Sequence, residues 1–320
     1  MKNIFIYFAV LIQCKFSCGQ LINFSNGECQ TMSTSDILSY GKVQQYANGV
    51  PKIIHYVYKT AYIPSQYSPH VKNCLEINKG VKFIFWSDFT TYGFVLKHFQ
   101  QNAKLFSSYF SKSVESLKIS DVIRYFILFK FGGIYMDLDT QCQKPLEEAM
   151  KNGSCILSQE INEQTRILWN APYLAMNSFM ATIPDHEFFQ YLIGKLTVAD
   201  SAHILYQTGP FFMTNALESY NKLVRNVTDQ SKLVILADSY LYSPFTERYL
   251  EGHCGGNPVG VWKVKGCKTL AEHRKQQKIR TKDAFVIHLF MHLGYNFAKH
   301  AVINLDYVCK TFKNITIVWL

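Results

Sequence analysis

Two carboxylates placed two positions apart, Asp137 and Asp139, are the residues of this chain best suited to chemistry. They belong to the stretch 134–139, in which apolar residues alternate with Tyr135 and the two acids. A strand over 134–138 would bury the apolar set and turn both carboxylates to one side. An acidic pair in this position has to be hydrated, paired or metal-bound, and its geometry suits a divalent cation.

The residues upstream predict a helix that points at the same place. Ser120 is a suitable N-cap, and Asp121 and Arg124 lie one turn apart on one helix face. Gly132 and Gly133 can end the helix by supplying the positive φ of a C-cap. The order helix, tight turn, acidic strand therefore brings four charged side chains together. A local helix ion pair beside a solvated strand end is the structural alternative, and the fixed order of the whole pattern disfavours it.

The stretch SDVIRYFILFKFGGIYMDLD at 120–139 resembles the signature of glycosyltransferase family 32, the DXD sugar-binding family that includes Golgi mannosyltransferases. Large clostridial glucosylating toxins share a related core. The similarity continues in order over about 50–295. It includes VPKIIHYVYKT at 50–60, Trp-Ser-Asp at 86–88, NSFMATIPDHEFF from Asn177, and Thr-Gly-Pro at 208–210.

The resemblance implies a GT-A type nucleotide-sugar-binding fold and a retaining transfer of a hexose. The donor would be a UDP- or GDP-sugar, with a weak preference for the mannosyl-transferring and lipid-modifying branch of the family. The acceptor would be a glycan, a glycolipid or a protein. The leaving diphosphate calls for a divalent cation, Mn²⁺ or Mg²⁺, held by oxygen and nitrogen ligands.

The resemblance also implies roles for the charged residues. Asp139 would bind the metal directly, Asp137 would approach the ribose and a metal-bound water, and Asp121 with Arg124 would hold the sugar hydroxyls. The third ligand would come from AFVIHLFMHLGYN at 284–296, where either His288 or His292 could serve. In this motif Gly-Tyr stands at 294–295 where the family usually has Ser-Trp.

Further donor-binding candidates surround these residues. His55 and Tyr56 are the expected exposed side chains of a base pocket, although both could equally be ordinary sheet residues. Tyr135 is expected to pack beside the acids. Asn177 and Gly209 lie in the other two matched segments and complete the predicted site.

Apolar runs alternate with helical patterns along the chain, which predicts an α/β fold with a mostly parallel sheet and helices on both faces. Such sheets bind ligands at the carboxyl ends of their strands. The predicted strands are 52–58, 81–86, 134–138, 155–158, 233–236 and 285–288, and the predicted helices include 69–78, 90–101 and 184–196. We expect a single transferase domain over 49–320, preceded by an extension at 20–48.

The first nineteen residues resemble a signal peptide, with Lys2 before an apolar run at 4–12 and small residues at 17 and 19. That run is too short to span a bilayer, which needs about twenty residues, although a signal anchor extended by flanking residues is a minor alternative. We therefore expect a protein of the secretory pathway, in the Golgi lumen or secreted. Glycosylation sequons occur at Asn23, Asn152, Asn226 and Asn314.

Seven of the nine cysteines follow the expected signal peptide. Cys142 with Cys155 and Cys254 with Cys267 each enclose a loop that a disulfide can close, while Cys29, Cys74 and Cys309 can pair only two at a time. Spacing does not establish connectivity. A zinc site is disfavoured, because the chain has no Cys-x-x-Cys and His186-Glu187 lacks a second histidine at 190.

The chain carries 33 basic and 23 acidic residues, a net charge of +10. Eight of the basic residues and one acidic residue lie in the segment 263–282, which leaves 25 and 22 elsewhere. This basic segment is either a solvated charge run, a surface for an anionic acceptor or a membrane headgroup, or the support of a lid near the diphosphate. No nucleic-acid-binding module accompanies it, so we expect no nucleic-acid partner.

Two other functions fit the acidic pair less well. The Asp-x-Asp of haloacid-dehalogenase phosphotransferases has a threonine four residues after its first acid, whereas Thr140 stands three after Asp137. The second alternative is a non-catalytic member of the family that binds a sugar or a partner. Intact ligand residues do not by themselves establish turnover.

Overall fold

The computed structural model describes residues 30–31, 43–59, 62–110, 116–151, 153–197, 203–237, 250, 252–275, 284–291, 302–304 and 317–319. The expected signal peptide (1–19), most of the expected extension (20–48) and residues 276–282 of the basic segment lie outside these ranges. Among the helices within them, none is both long enough and apolar enough to cross a membrane.

The strands of the described ranges are short. They are β1 (Gln30–Thr31), β2 (Ile53–Val57), β3 (Tyr62–Pro64), β4 (Lys82–Trp86), β5 (Gly133–Met136), β6 (Thr140–Cys142), β7 (Cys155–Gln159), β8 (Ala175–Thr182), β9 (Ile235–Leu236), β10 (Val286–His288), β11 (Val302–Asn304) and β12 (Ile317–Trp319).

The α-helices alternate with these strands. They are α1 (Ser68–Ile77), α2 (Asp88–His98), α3 (Ala103–Phe110), α4 (Ser116–Phe131), α5 (Asn162–Trp169), α6 (Glu187–Gly194), α7 (Ile204–Gln207), α8 (Pro210–Leu223) and α9 (Val261–Lys275). Short 3₁₀ helices cover Ser65–Tyr67, Gln100–Asn102, Ala149–Lys151, Gln230–Lys232 and Gly252–Cys254.

In the described part of the chain, the central sheet has the strand order β1-β12-β4-β2-β5-β8-β7-β9. Neighbouring strands are parallel from β1 to β5, with His55 of β2 opposite Tyr135 of β5. The exception is β8, which runs antiparallel to both β5 and β7. The two small antiparallel pairs β6–β10 and β3–β11 lie outside this sheet. The predicted α/β fold with a mostly parallel sheet is confirmed.

Each face of the sheet packs into its own apolar core. On one face, Trp86 and Tyr135 pack with helices α2, α4, α6 and α8, through residues such as Phe94 and Phe126. On the other face, Phe85 packs with helix α1 and with the 3₁₀ helix that contains Met150. The side chains of β2, β5 and β8 are therefore buried throughout, as expected for strands covered on both sides.

Helix α4 carries the predicted Asp121 and Arg124, but it starts earlier than expected. Ser120 lies inside the helix, one turn after Ser116, so the prediction that Ser120 is the N-cap is wrong. The predicted end is confirmed, because Gly132 and Gly133 follow the helix with φ of 61° and 89°.

Disulfides join Cys74 of helix α1 to Cys142 of strand β6, and Cys254 to Cys267 of helix α9. The suggested Cys142–Cys155 pair is wrong, whereas Cys254–Cys267 is confirmed. Cys155 is a buried free thiol in β7. The reason is topological, because β6 pairs with β10 outside the sheet while β7 lies inside it. Cys29 and Cys309 lie outside the described residues.

Candidate active site

Asp137 and Asp139 follow the carboxyl end of strand β5, where a turn brings them together. The strand ends at Met136, so the prediction that it continues to Leu138 is wrong. The Asp137 amide donates to the Ser178 carbonyl, and the Thr140 amide donates back to Asp137 to close the turn. Asp139 is buried and Asp137 is partly buried, so the pair is not a solvated strand end.

Strand β10 places His288 against both acids. It pairs antiparallel with β6, and its register puts His288 opposite Thr140, the residue after Asp139. The His288 Nε2 atom lies 3.1 Å from Asp139 Oδ1 and 3.6 Å from Asp137 Oδ2. Of the two predicted histidines, His288 is therefore in contact with the acids, while His292 lies outside the described residues.

One oxygen of each acid is fixed by the protein. Asp137 Oδ1 accepts from the Tyr135 hydroxyl at 2.7 Å and from Arg124 Nη1 at 3.1 Å. Asp139 Oδ2 accepts from the Met291 backbone amide at 2.9 Å. The remaining oxygens, Asp137 Oδ2 and Asp139 Oδ1, are the ones that face His288.

The loop after β10 is bent sharply to make this contact. Phe290 has a φ of 49°, a left-handed conformation that is unusual for a bulky residue. Its ring packs edge-on to His288 at 4.2 Å. The bend presents the Met291 amide to Asp139, so local strain at Phe290 accompanies the ordering of the acidic site.

The donor set fits a hard divalent cation. Within the described residues, Asp137, Asp139 and His288 form a cluster whose ligand atoms all lie within 4.8 Å of one another. Carboxylate oxygens with one imidazole nitrogen suit Mn²⁺ or Mg²⁺. Burial by itself lowers the pKa of His288, but Asp139 and Asp137 outweigh it and raise that pKa to about 10. Without a cation, the protonated ring therefore balances the acids.

Arg124 supports this cluster from inside the fold. Nε donates to the Ser120 carbonyl, Nη1 to Asp137 and to the Asn177 carbonyl, and Nη2 to Ser120 Oγ and towards Asp121. The guanidinium also lies 4.4 Å from the centre of the Tyr135 ring. All the N–H groups of Arg124 thus have protein acceptors, so contact with a sugar would require the exchange of one of them.

Asp121 is the centre of a second polar cluster, beside the metal candidate. Its Oδ1 accepts from Asn177 Nδ2 at 2.8 Å, and its Oδ2 accepts from the Thr208 hydroxyl at 3.1 Å. The Tyr125 hydroxyl accepts from the same Asn177 amide. Burial raises the pKa of Asp121, which Arg124 opposes. This cluster includes the predicted Asp121 and Asn177.

Gly209 adjoins the same carboxylate and begins helix α8. A Cβ at Gly209 would lie 3.4 Å from Asp121 Oδ2 and 3.1 Å from the Leu205 Cα atom. Sequence reasoning chose Gly209 and missed Thr208 and Tyr125, which make the actual hydrogen bonds. Thr208 stands in the recognised Thr-Gly-Pro motif, so a hydroxyl beside that glycine was the available signal.

His55 and Tyr56 are not the exposed side chains of a base pocket. Both are fully buried, because β2 lies between two strands and is covered on both faces. His55 Nδ1 accepts from the Trp86 indole at 3.1 Å, and Nε2 donates to the Gly132 carbonyl at 3.0 Å. Burial lowers the pKa of His55 to about 4. The alternative of ordinary sheet residues is therefore confirmed for both.

Part of the chain is similar in sequence to known glycosyltransferases. Residues 64–168 match the family described as "Glycosyltransferase sugar-binding region containing DXD motif". The chain is 24% identical over 214 residues to inositol phosphoceramide mannosyltransferase 3 of Schizosaccharomyces pombe, an alignment that covers 65% of this chain and 56% of that protein. It is 28% identical over 179 residues to mannosyl phosphorylinositol ceramide synthase SUR1 of Saccharomyces cerevisiae, covering 54% and 43%. The chain thus spans about half the length of these relatives.

Two glycosyltransferases are among the solved structures to which the chain is similar. PaToxG glycosyltransferase is 14% identical, with a TM-score of 0.41, over 74% of this chain and 89% of that one. The galactosyltransferase LgtC is 13% identical, with a TM-score of 0.35, over 74% and 86%. Residues 64–168, which include Asp121, Arg124, Asp137 and Asp139, are thus similar to the DXD sugar-binding region of glycosyltransferases, the family that the sequence resembles.

Proposed function

We propose that this protein is a metal-dependent, retaining glycosyltransferase that moves a hexose from a nucleotide-sugar to an acceptor hydroxyl. The observation that carries the proposal is the buried cluster of Asp137, Asp139 and His288, in which the protein anchors one oxygen of each acid. That arrangement leaves the other oxygens and an imidazole directed at one point, as a diphosphate-binding cation requires.

The residues around that point have two roles, metal binding and the orientation of a metal ligand. Asp139, Asp137 and His288 would hold Mn²⁺ or Mg²⁺, which when bound neutralises charge on the departing diphosphate. Tyr135 and Arg124 hold Asp137 in place. Residues with this anchoring role fix the ligand geometry before the donor arrives.

The donor sugar would lie beside Asp121. This carboxylate is oriented by Asn177 and Thr208 and accepts hydrogen bonds, so it suits a sugar hydroxyl. Gly209 leaves room at the same oxygen. In the retaining reaction that the family resemblance implies, these contacts position the anomeric carbon against the acceptor hydroxyl.

The names of the relatives support a choice of donor and acceptor classes. Two relatives carry names for mannosyl transfer to inositol phosphoceramide, which favours a GDP-sugar and a glycolipid acceptor over a UDP-sugar with a glycan or protein acceptor. A place in the secretory pathway, in the Golgi lumen or secreted, agrees with the two disulfides, which persist in oxidising compartments.

The test is nucleotide release from a panel of UDP- and GDP-sugars with Mn²⁺, followed by product detection. We expect turnover with one donor and a loss of about 100-fold or more in Asp139→Asn, because a metal-ligating oxygen is removed. Asp185→Asn is the matched control, since Asp185 is exposed at the opposite end of the sheet. If a donor binds but no donor in the panel yields a product, the non-catalytic alternative is favoured and the transferase proposal is overturned.

A further inference from the structure

An aromatic cluster lies on the surface beside the Asp121 site and is not used by the proposed donor chemistry. Tyr206 stacks on Phe211, with ring centres 4.4 Å apart and planes 5° from parallel. Trp169 meets Phe211 edge-to-face at 5.5 Å. Tyr206 is 58% exposed and Trp169 is 39% exposed. We call these three residues the aromatic platform.

Two residues of the platform are close in sequence to a residue that contacts Asp121. Tyr206 and Phe211 flank the Thr208-Gly209 segment, whose Thr208 hydroxyl donates to Asp121. The platform therefore borders the carboxylate at which the donor sugar is proposed to lie.

Trp169 connects the platform to the metal side. Its side chain lies near Glu160, which is buried after strand β7 and close enough to His288 to interact with it electrostatically. Glu160 is fixed by Gln164 at 2.6 Å and Thr165 at 2.8 Å. Trp169 is thus the platform residue that lies nearest to the candidate cation centre.

Core packing does not explain why these rings face water. Folding gains from burying aromatic faces, and single exposed apolar residues are scattered over most surfaces. A stacked pair with a third ring beside the polar cluster of Asp121 differs from that background. Recognition sites concentrate preorganised aromatic surface with few mobile torsions.

A carboxylate continues the surface of the platform along helix α8, two turns beyond Phe211. Glu218 lies seven residues after Phe211 on helix α8, and therefore on the same helix face. Its carboxylate accepts from the Tyr173 hydroxyl at 2.8 Å. A flat aromatic surface with oxygen acceptors at its edge fits a ring that has C–H groups on its faces and hydroxyls around its rim. Sugars and cyclitols have this form.

We propose that the aromatic platform of Tyr206, Phe211 and Trp169 binds the carbohydrate or cyclitol ring of the acceptor. The ring's C–H face stacks on the aromatic faces, whose negative quadrupole attracts the weakly positive C–H hydrogens. A hydroxyl at its edge then points towards the donor sugar beside Asp121. The proposal rests on the proposed transferase function only in naming the ring as the acceptor.

Saturation-transfer NMR tests the platform directly, with methyl α-D-mannopyranoside and myo-inositol as probes at millimolar concentration. We expect saturation of ring C–H protons with the wild type for at least one probe. In Tyr206→Ala and Trp169→Ala the transfer should fall about fivefold, the size of one aromatic contact. Tyr206→Phe keeps the ring and should retain the signal.

Leu223→Ala is the matched control, because Leu223 is an exposed apolar residue at the far end of helix α8. Equal saturation in the wild type and the alanine variant of Tyr206, or no saturation of either probe by the wild type, overturns the platform. The transferase proposal is judged separately by donor turnover. If the protein turns over a donor but the Tyr206 variant binds the probes as well as the wild type, only the proposed acceptor site is rejected. If the variant loses saturation transfer but no donor is turned over, only the transferase proposal is rejected.

Discussion

Asp137 and Asp139 each divide their two oxygens between the protein and the candidate cation. The anchored oxygens are held by Tyr135 and Arg124 on one acid and by the Met291 amide on the other. Because anchoring fixes where the second oxygen points, the residues that anchor should influence metal affinity although they do not touch the metal.

Tyr135→Phe should therefore weaken Mn²⁺ binding by about tenfold, because Asp137 Oδ1 keeps only Arg124 as its partner. The loss should be visible as free Mn²⁺ in an electron paramagnetic resonance titration. Deleting one buried hydroxyl costs only about 1 kcal/mol in the free energy of unfolding. Tyr109→Phe is the control, since it removes a buried hydroxyl that donates to the Thr197 carbonyl. Equal Mn²⁺ affinities for the two variants would contradict the anchoring role.

Glu160 gives a pH-dependent prediction. Burial raises the pKa of Glu160 from 4.5 to about 7, against hydrogen bonds from Thr165 and Gln164. Since the folded state binds this proton more tightly than the unfolded state, the contribution is full below about pH 4.5 and is lost as the pH rises through about 7. The loss amounts to ~3 kcal/mol in the free energy of unfolding.

Glu160→Gln should remove that pH dependence. Urea unfolding without a divalent cation, from pH 4.5 to 7.5, should show the wild type losing stability relative to this variant as the pH rises. Glu148→Gln, at a largely exposed carboxylate, should follow the wild type. Parallel stability curves for the wild type and Glu160→Gln would show that Glu160 does not titrate in this window.

Sequence reasoning found the charged residues of the site and misjudged some neutral ones. Asp121 and Asp137 meet through Arg124 as predicted, because their types and order define the motif. His288, one of the two histidines between which the sequence did not decide, is in contact with Asp137. The exposure predicted for His55 was wrong, since the strand on which it lies is covered on both faces by distant segments. The hydrogen bond of Thr208 depends on a contact 87 residues away in sequence, which no local pattern records.

At the level of elements, the sequence predicts the strands that have strong apolar runs, but it does not predict β8, which contributes Asn177 to the site. The cores of β2, β4, β7 and β10 match the predicted ranges. Strand β8 was missed, because AMNSFMAT is buried at every position and therefore shows no alternation. It nevertheless supplies Asn177, so its position in the sheet had to come from the structure.

The turn between α4 and β5 depends on glycine for two separate reasons, and a matched pair of variants separates them. Gly133 has a φ of 89°, and a Cβ there would lie 2.8 Å from the Ile53 carbonyl oxygen. Gly80 has a φ of 81°, with nothing within 4 Å of its Cβ position. Gly80→Ala should cost only about 1 kcal/mol of left-handed backbone strain. Gly133→Ala should cost about 2–4 kcal/mol, because it adds a backbone clash.

Thermal and urea unfolding of both variants measure this difference. A Gly133→Ala protein as stable as Gly80→Ala would mean that β5 can shift away from β2 without cost. The clash lies at the start of β5, the strand whose other end carries the acids, and a shift of this strand would move them. We therefore also expect weaker Mn²⁺ binding in Gly133→Ala only.

In the molecule as a whole, positive charge and exposed apolar side chains meet on one surface. Helix α9 packs against α5. Asn170, which follows α5, accepts from the amides of Trp262 and Lys263 and so caps the start of α9. The Cys254–Cys267 disulfide joins the middle of α9 to the 3₁₀ helix before it. Val259 and Val261, at its start, are 85% and 80% exposed. The described part of the basic segment is thus a fixed helix, which agrees with a surface for anionic headgroups better than with an unstructured charge run.

We therefore predict that the protein binds vesicles containing phosphatidylserine and not vesicles of phosphatidylcholine alone, and that added salt weakens this binding. Replacing Lys265 and Lys268 together by Glu should lower the vesicle affinity by at least about tenfold, since each lysine near an anionic surface contributes ~1 kcal/mol. Lys104 and Lys222, exposed on other helices, give the matched double control. Vesicle co-sedimentation measures all four cases. If the control pair loses as much affinity as the α9 pair, attraction comes from the net charge of +10 and not from this surface.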